Sequence, residues 1–292
     1  MKKPDFIIIG AQKAGTSWLW HMLDQHPDTD LPEQKEIHYF GSVELHRQGK
    51  EWYFEHFRNV NPEKLTGEAS TTYLYDYVPY FQNQSSQIEF DESLASLPEL
   101  ILEEMPDVKI IISLRDPVKR AISAYHHWIQ HDRSMGLPPF RGLIKTATEE
   151  PKTRIVEYGY YAKYIKHWKN YVDSERIFVT IFEEDVLINP GKNLSQIFRF
   201  LNIDPDFQPA KADKKVNKSW SWTRIVASYY TQFYPRLITT SFVGRLCDKY
   251  DVLGNYAITE NDIEFLRSKY LPEKAQLEEL LSRKLDCWKY GL

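Results

Sequence analysis

A lysine set inside a glycine turn, rather than after it, is the first chemically informative feature of the chain. Residues 6–20 read FIIIGAQKAGTSWLW: an apolar run, Gly10 and Gly15 five residues apart, then Thr16 and Ser17 opening a helical pattern. This is the frame of a phosphate-binding loop, whose nucleotide-triphosphatase form is G-x-x-x-x-G-K-[ST]. Here Thr16 stands where the usual lysine would be, and the cation is Lys13. The backbone N–H groups of Lys13, Ala14, Gly15, Thr16 and Ser17 are expected to converge on an anion at the helix N-terminus, where the dipole adds roughly 0.3–1 kcal/mol. A lysine after the second glycine would reach the β- and γ-phosphates while the next hydroxyl held magnesium, so its loss argues against ATP hydrolysis. Lys13 instead falls beside the 5′ end of a nucleotide, where it could neutralise charge on an oxygen bridging phosphorus and a transferred group. Taken alone, the same residues also describe a strand–turn–helix with an exposed lysine.

A second segment, ISLRDPVKRAISAYHHW (112–128), puts Arg115 just past an apolar run and Ser123 eight residues on. With Pro117 in the first turn of a helix, Ser123 falls on the second turn. An arginine with bidentate donors and a helical hydroxyl can grip one phosphate together. In isolation Arg115 reads as a strand-end salt bridge, with Asp116 or another acid. Two anion sites on neighbouring strand ends imply a ligand with phosphate at two places. His126, His127 and His131 invite a zinc reading, but no glutamate completes an H-E-x-x-H pattern and no third ligand is evident, so no metal is expected.

Elements that would position these residues alternate along the chain. Strands are predicted at Asp5–Gly10, Leu65–Ala69, Val108–Leu114 and Arg176–Phe182. Helices are predicted at Ser17–His26, Pro117–Gln130 and Tyr160–Tyr171, with a long C-terminal helix over Ile258–Trp288 broken at Pro272. The alternation predicts an α/β, P-loop-type three-layer fold, a central parallel sheet flanked by helices, with ligands at the carboxyl ends of the strands. No repeat or linker interrupts it, so a single domain over 1–292 is expected, with 205–257 as a lid or acceptor-side subdomain. A net charge of −4 gives no reason to expect nucleic acid as a partner. Two cysteines, Cys247 and Cys287, fit free thiols in a reducing compartment. No secretory segment and no 18-residue apolar run occurs, so no transmembrane segment is expected and the predicted location is cytoplasmic.

Together, the two segments resemble the sulfotransferases that use 3′-phosphoadenosine 5′-phosphosulfate. The first is similar to their 5′-phosphosulfate loop, the second to their 3′-phosphate site. The likeness is greatest to the heparan-sulfate (N- and 3-O-) branch. KEIHYF (35–40), EWY (51–53), GYYAKYIKHW (159–168), FEEDVLINP (182–190) and LRSKYLPEKAQLEELLSRKLDCW (266–288) resemble segments of those enzymes in the same order.

The resemblance implies sulfuryl transfer to a hydroxyl or amine of a saccharide or small metabolite, leaving 3′,5′-diphosphoadenosine. It gives Lys13 the role of stabilising the leaving phosphate oxygen. It makes Glu36 the base, where composition alone would read a surface acid, with His38 assisting by hydrogen bonding or serving as the base itself. Glu68 and Ser70 in GEAST resemble an E-K-[ST] segment, but Ala69 stands where that family has lysine, and Lys35 is a candidate replacement. Tyr161 matches a G-x-Y position that approaches the adenosine, or is a core tyrosine of its helix. The basic loop DKKVNKSWSW (213–222) makes Asn217 and Lys218 candidate donor contacts, although the family's K-G-R signature is missing. A non-catalytic nucleotide- or glycan-binding protein and a P-loop nucleotide kinase are the alternative readings.

Overall fold

The structure is a computed structural model that describes residues 1–75, 96–131, 142–150, 153–210, 212, 220–230, 242–254 and 258–290. Four strands form one sheet: β1 (Phe6–Gly10), β2 (Gly67–Ala69), β3 (Lys109–Leu114) and β4 (Ile177–Ile181). Their order is β2-β1-β3-β4, and every pairing is parallel. Phe6 lies opposite both Gly67 and Lys109, and Ile110 lies opposite Ile177. The isoleucine runs of β1 and β3 suit a strand buried on both faces, since β-branched side chains pack well on a pleated surface.

The pleat sends alternate residues to opposite faces. On one face Phe6, Ile8 and Ile111 join a cluster with Trp18, Leu19, Met22 and Leu23 of helix α1 (Thr16–Asp24) and with Leu194, Ile197, Phe198 and Leu201 of the helix Pro190–Leu201. The alternate residues Ile7, Ile9, Ile110 and Ile112 are also fully buried, so the other face is covered as well. There Trp168, from the helix Tyr161–Lys169, donates from Nε1 to the carbonyls of Tyr73 and Leu74 at 3.2 and 3.3 Å. This is the expected parallel α/β architecture.

Two compact units divide the chain. The sheet belongs to the first, formed by residues 1–115, 161–216 and 276–288; the second comprises 116–160, 217–275 and 289–292. Within the second, Tyr125 stacks on Trp222 with centroids 6.3 Å apart, and Trp128 Nε1 donates to the Thr153 carbonyl at 2.8 Å. Asp262 caps its own helix, Glu260–Tyr270, and also accepts from the Ile144 N–H at 3.1 Å. Most of the 205–257 segment, from residue 217 on, belongs to this unit.

The C-terminal helix breaks at Pro272, as expected, but ends earlier than expected. It forms two helices, Glu260–Tyr270 and Lys274–Leu281, joined by a 3₁₀ turn at Leu271–Glu273 that contains Pro272. It ends at Leu281, not Trp288, because Ser282 takes a φ of +49° and a Schellman closure follows. The Arg283 and Ser282 N–H groups return to the carbonyls of Glu278 and Glu279, both at 3.1 Å. Arg283 is thereby turned onto Asp185 in a two-point ion pair, both contacts at 2.7 Å.

Gly15 shows how tightly α1 is docked. It caps the helix at a φ of +91°, and a Cβ there would lie 2.6 Å from the Phe182 ring. Gly15→Ala is expected to cost about 1–3 kcal/mol from the left-handed backbone and the overpacking together. Urea denaturation should show a lowered midpoint; an unchanged midpoint would mean that Phe182 gives way freely.

Candidate active site

The loop after β1 is held by the end of β3. The Ala11 N–H donates to the Ser113 carbonyl at 2.7 Å, and the Ser113 hydroxyl donates to the Ala14 carbonyl at 2.5 Å. One residue past β3, Arg115 donates from its guanidinium to the Lys13 carbonyl at 3.1 Å. These bonds turn loop carbonyls toward β3, and Lys13 adopts a left-handed φ of +66°. The N–H groups of Thr16 and Ser17, in the first turn of α1, have no intrahelical acceptor by construction. The Ala14 N–H, expected among the anion donors, is instead turned onto the Ala11 carbonyl at 3.2 Å, which closes the turn. The loop thus combines the N–H donors that open α1, the positive end of a helix dipole and the Lys13 side chain, which suits a phosphate-like group.

A second loop supplies Lys35, Glu36 and His38. Lys35 Nζ forms a short ion pair with Glu36 Oε1, while His38 Nε2 lies 3.4 Å from Glu36 Oε2. His38 Nδ1 is 2.9 Å from Thr72 Oγ1. A neutral ring satisfies both contacts by donating from Nε2 to the carboxylate and accepting at Nδ1 from the threonine hydroxyl. The His38 N–H donates to Ser70 Oγ at 2.9 Å, and the Ser70 hydroxyl donates in turn to Glu68 Oε1. Tyr53 donates to the other Glu68 oxygen at 2.6 Å. Burial pushes the Glu68 carboxyl up in pKa, against hydrogen bonds from Ser70, Tyr53 and Tyr73. Burial also raises the Tyr53 and Tyr73 phenols, which therefore stay protonated donors.

The two loops act on each other electrostatically. Burial first, and the Arg115 charge second, lower the Lys13 pKa; the Glu36 carboxylate opposes them and Lys35 adds to them. Arg115 also lies 3.9 Å from the Glu183 carboxylate. Three cations, Lys13, Lys35 and Arg115, thus stand against two carboxylates, Glu36 and Glu183, a balance that still favours an incoming anion. At Glu36, burial works to raise the pKa, but the His38 hydrogen bond and the Lys35 ammonium outweigh it and bring it to about 2. Glu36 is ionised at neutral pH and holds only acceptor oxygens.

The structure brings Lys13, Ala14, Gly15, Thr16, Ser17, Lys35, Glu36, His38 and Arg115 into this end of the first unit. Tyr161 is buried, and its hydroxyl donates to the Arg115 carbonyl at 2.9 Å, so it braces the backbone that carries the arginine. Ser123 is half-buried on the helix Pro117–His131 of the second unit. Asn217 and Lys218 lie outside the described residues. Glu68 and Ser70 are fully buried and hold the His38 backbone. Ala69 packs in the apolar cluster beside Ile8. His126, one of the three histidines that invited a zinc reading, packs 5.6 Å from the Trp222 ring, and burial lowers its pKa to about 4.

Sequence reasoning missed Ser113, Thr72 and Tyr53. Ser113 carried a signal: it is the hydroxyl in the otherwise apolar run of IIISL. Thr72 and Tyr53 carried none, because their partners lie 34 and 15 residues away.

The family model described as "Sulfotransferase domain" matches residues 3–232. This chain is a member of the sulfotransferase family. Its relatives include the expected heparan sulfate branch. It is 28% identical over 218 residues to the human bifunctional heparan sulfate N-deacetylase/N-sulfotransferase 2, a match covering 69% of the chain and 22% of that protein. It is 27% identical over 207 residues to human heparan sulfate glucosamine 3-O-sulfotransferase 5, covering 69% of the chain and 54% of the relative. The membrane-associated sulfotransferase kil1 of Dictyostelium discoideum is 32% identical over 173 residues, covering 57% of the chain and 32% of that protein. The match therefore spans about a fifth of the bifunctional relatives' length. Among solved structures, a sulfotransferase from Alicyclobacillus acidocaldarius superposes with a TM-score of 0.68 at 24% identity, covering 99% of this chain and 100% of that one, which shows a shared fold. No helix among the described residues is long and apolar enough to cross a membrane.

The depressed Glu36 pKa has a stability consequence. A carboxyl group whose folded pKa lies below its unfolded value stabilises the protein above the unfolded pKa, and loses that contribution as pH falls through the folded one. Glu36→Gln should therefore lower the Tm at pH 7, and the gap to wild type should close between the ordinary carboxylate range and about pH 2. A gap independent of pH in thermal melts would show that Glu36 is not held ionised by its neighbours.

Proposed function

We propose that this sulfotransferase moves a sulfuryl group from 3′-phosphoadenosine 5′-phosphosulfate to a hydroxyl or amine of a saccharide or small metabolite. The observation that carries this reading is the placement of Lys13 inside the strand-end loop, with the ionised Glu36 near enough to act on its charge. A cation at the leaving oxygen and a base at the attacking one are the two groups that in-line transfer needs. The relatives named as heparan sulfate sulfotransferases support a saccharide acceptor.

In this mechanism the loop N–H groups and Lys13 bind the 5′-phosphosulfate. Glu36, oriented by His38, takes the proton of the acceptor as its oxygen or nitrogen attacks sulfur. The bond between sulfur and the bridging oxygen breaks, and the electron pair remains on the 5′-phosphate. Lys13 neutralises that developing charge in a site partly shielded from water, where such stabilisation is strongest. Arg115 is assigned to the 3′-phosphate, and Tyr161 fixes its backbone.

Lys13→Ala should lower kcat by at least about 10²-fold, the scale of losing one pre-organised transition-state contact. Glu36→Gln should lower it by about 10²–10⁴-fold while nucleotide binding is retained. Steady-state kinetics with radiolabelled donor and a panel of saccharide acceptors would check both, and wild-type turnover in Glu36→Gln would remove it as the base. In a thermal-shift assay, 3′,5′-diphosphoadenosine at 100 times its Kd should stabilise the protein by about 2.7 kcal/mol without added metal. Stabilisation by ATP with magnesium, and none by the 3′-phosphorylated nucleotide, would overturn the reading in favour of a kinase.

The two-phosphate assignment makes a separate claim. Arg115→Ala should weaken binding of 3′,5′-diphosphoadenosine more than tenfold beyond its effect on adenosine 5′-monophosphate, about 1.4 kcal/mol of selectivity. Equal losses for both nucleotides in calorimetric titrations would mean that Arg115 only shapes the Lys13 loop.

A further inference from the structure

The ion pair between Lys35 and Glu36 conflicts with the role given to Glu36. A general base works best with a pKa near the operating pH, and a carboxylate gripped by an ammonium is a weak one. The geometry shows how the conflict is relieved. The two Glu36 oxygens are divided between different partners, Oε1 facing Lys35 and Oε2 facing His38 Nε2. The backbone of this loop is pinned: Glu36 and His38 hold φ values of +66° and +58°, the His38 N–H is bonded to Ser70, and its ring contacts Thr72. Lys35 is the adaptable partner, because its charge sits at the end of a flexible four-carbon stem. Its charge already reaches Lys13, as does that of Arg115. The pair is also partly open to solvent, with side-chain exposures of 19% and 38%, so an incoming anion can reach the ammonium.

We propose that Lys35 is a positioning cation that exchanges partners during turnover, pairing with Glu36 when the donor is absent and with the donor's anionic 5′ group when it is bound. The proposal rests on the donor reading above. An anion carrying more than one charge beside Lys13 is a stronger partner for Lys35 than the single Glu36 carboxylate. Once Lys35 turns away, Glu36 keeps its orientation through His38, whose hydrogen bond is the first of the causes lowering its pKa, and regains the part of its basicity that the ammonium had removed. Glu36 then takes the acceptor's proton while the acceptor–sulfur bond forms and the sulfur–oxygen bond to phosphate breaks. Lys35 stays on the phosphate, which retains the electron pair. When the diphosphoadenosine leaves, Glu36 returns its proton to water and re-pairs with Lys35. Donor binding thereby arms the base, which limits Glu36 to acting when there is a sulfuryl group to accept.

A double-mutant cycle on binding tests this without turnover. Affinity for 3′-phosphoadenosine 5′-phosphosulfate, with no acceptor present, would be measured by calorimetry for wild type, Lys35→Gln, Glu36→Gln and the double variant. Glu36→Gln should bind about five- to tenfold tighter than wild type, because Lys35 is no longer shared, and Lys35→Gln about tenfold weaker. In the Lys35→Gln background, Glu36→Gln should change affinity less than about twofold. Lys35→Arg should restore most of the donor affinity, a result that loop stabilisation alone would not require. Glu36→Gln tightening by the same factor in both backgrounds would mean simple removal of a negative charge, and would overturn the exchange. Unchanged or weaker binding in Glu36→Gln, with a wild-type circular dichroism spectrum, would overturn it without reference to Lys35 variants. Wild-type protein that binds neither this nucleotide nor its diphosphate would overturn the donor reading and this proposal with it, whereas normal binding with no coupling removes this proposal alone.

Discussion

The site depends on the hydrogen bonds by which the end of β3 holds the loop that follows β1. Ser113 and Arg115 take two loop carbonyls, those of Ala14 and Lys13. With those carbonyls occupied, and the Ala14 N–H closing the turn on Ala11, the N–H groups that open α1 are left for an anion, and the α1 dipole adds to them. This arrangement explains why Gly15 must carry no side chain: α1 can start only where Phe182 leaves room for it. Parallel pairing of β1 with β3 sets the register that makes both bonds possible. The anion site proposed here thus rests on two adjacent strands and not on the glycine motif alone.

A second constraint comes from burying a carboxyl group. Glu68 lies within β2 with no exposed surface, and it gathers hydroxyl donors from Ser70 and Tyr53. A buried acid without such partners would be costly, so the network is complete before any ligand arrives. Its outer member, Ser70, anchors the His38 backbone, and His38 in turn orients Glu36. The groups nearest the chemistry stay partly exposed, while the groups that fix them are buried. In the proposed exchange, that division lets Lys35 and Glu36 change partners without disturbing the sheet.

Much of this was legible from the chain alone, for reasons that differ by element. Short, β-branched apolar runs bounded by turn residues read as buried strands, so β1 and β3 were evident, and the glycine spacing with Lys13 pointed to an anion loop. The C-terminal helix misled, because its apolar spacing continues past Leu281 while a left-handed Ser282 ends it. Glu36 and His38 were found through resemblance, since an acid and a histidine two apart carry no local signal of function. Thr72, Tyr53 and the bracing role of Tyr161 were invisible to any local reading.

What the sequence by itself determined was the parallel α/β class, the phosphate-type loop and the displacement of its cation to Lys13, all of which follow from local spacing and periodicity. Only the tertiary structure decided that Lys35, Glu36 and Arg115 act on Lys13, that Glu68 and Ser70 serve as buried supports, and that the Glu36 carboxylate is held near pKa 2. Those facts depend on charges brought close by strand pairing and removed from water together, and neither distance nor desolvation is written in the order of residues.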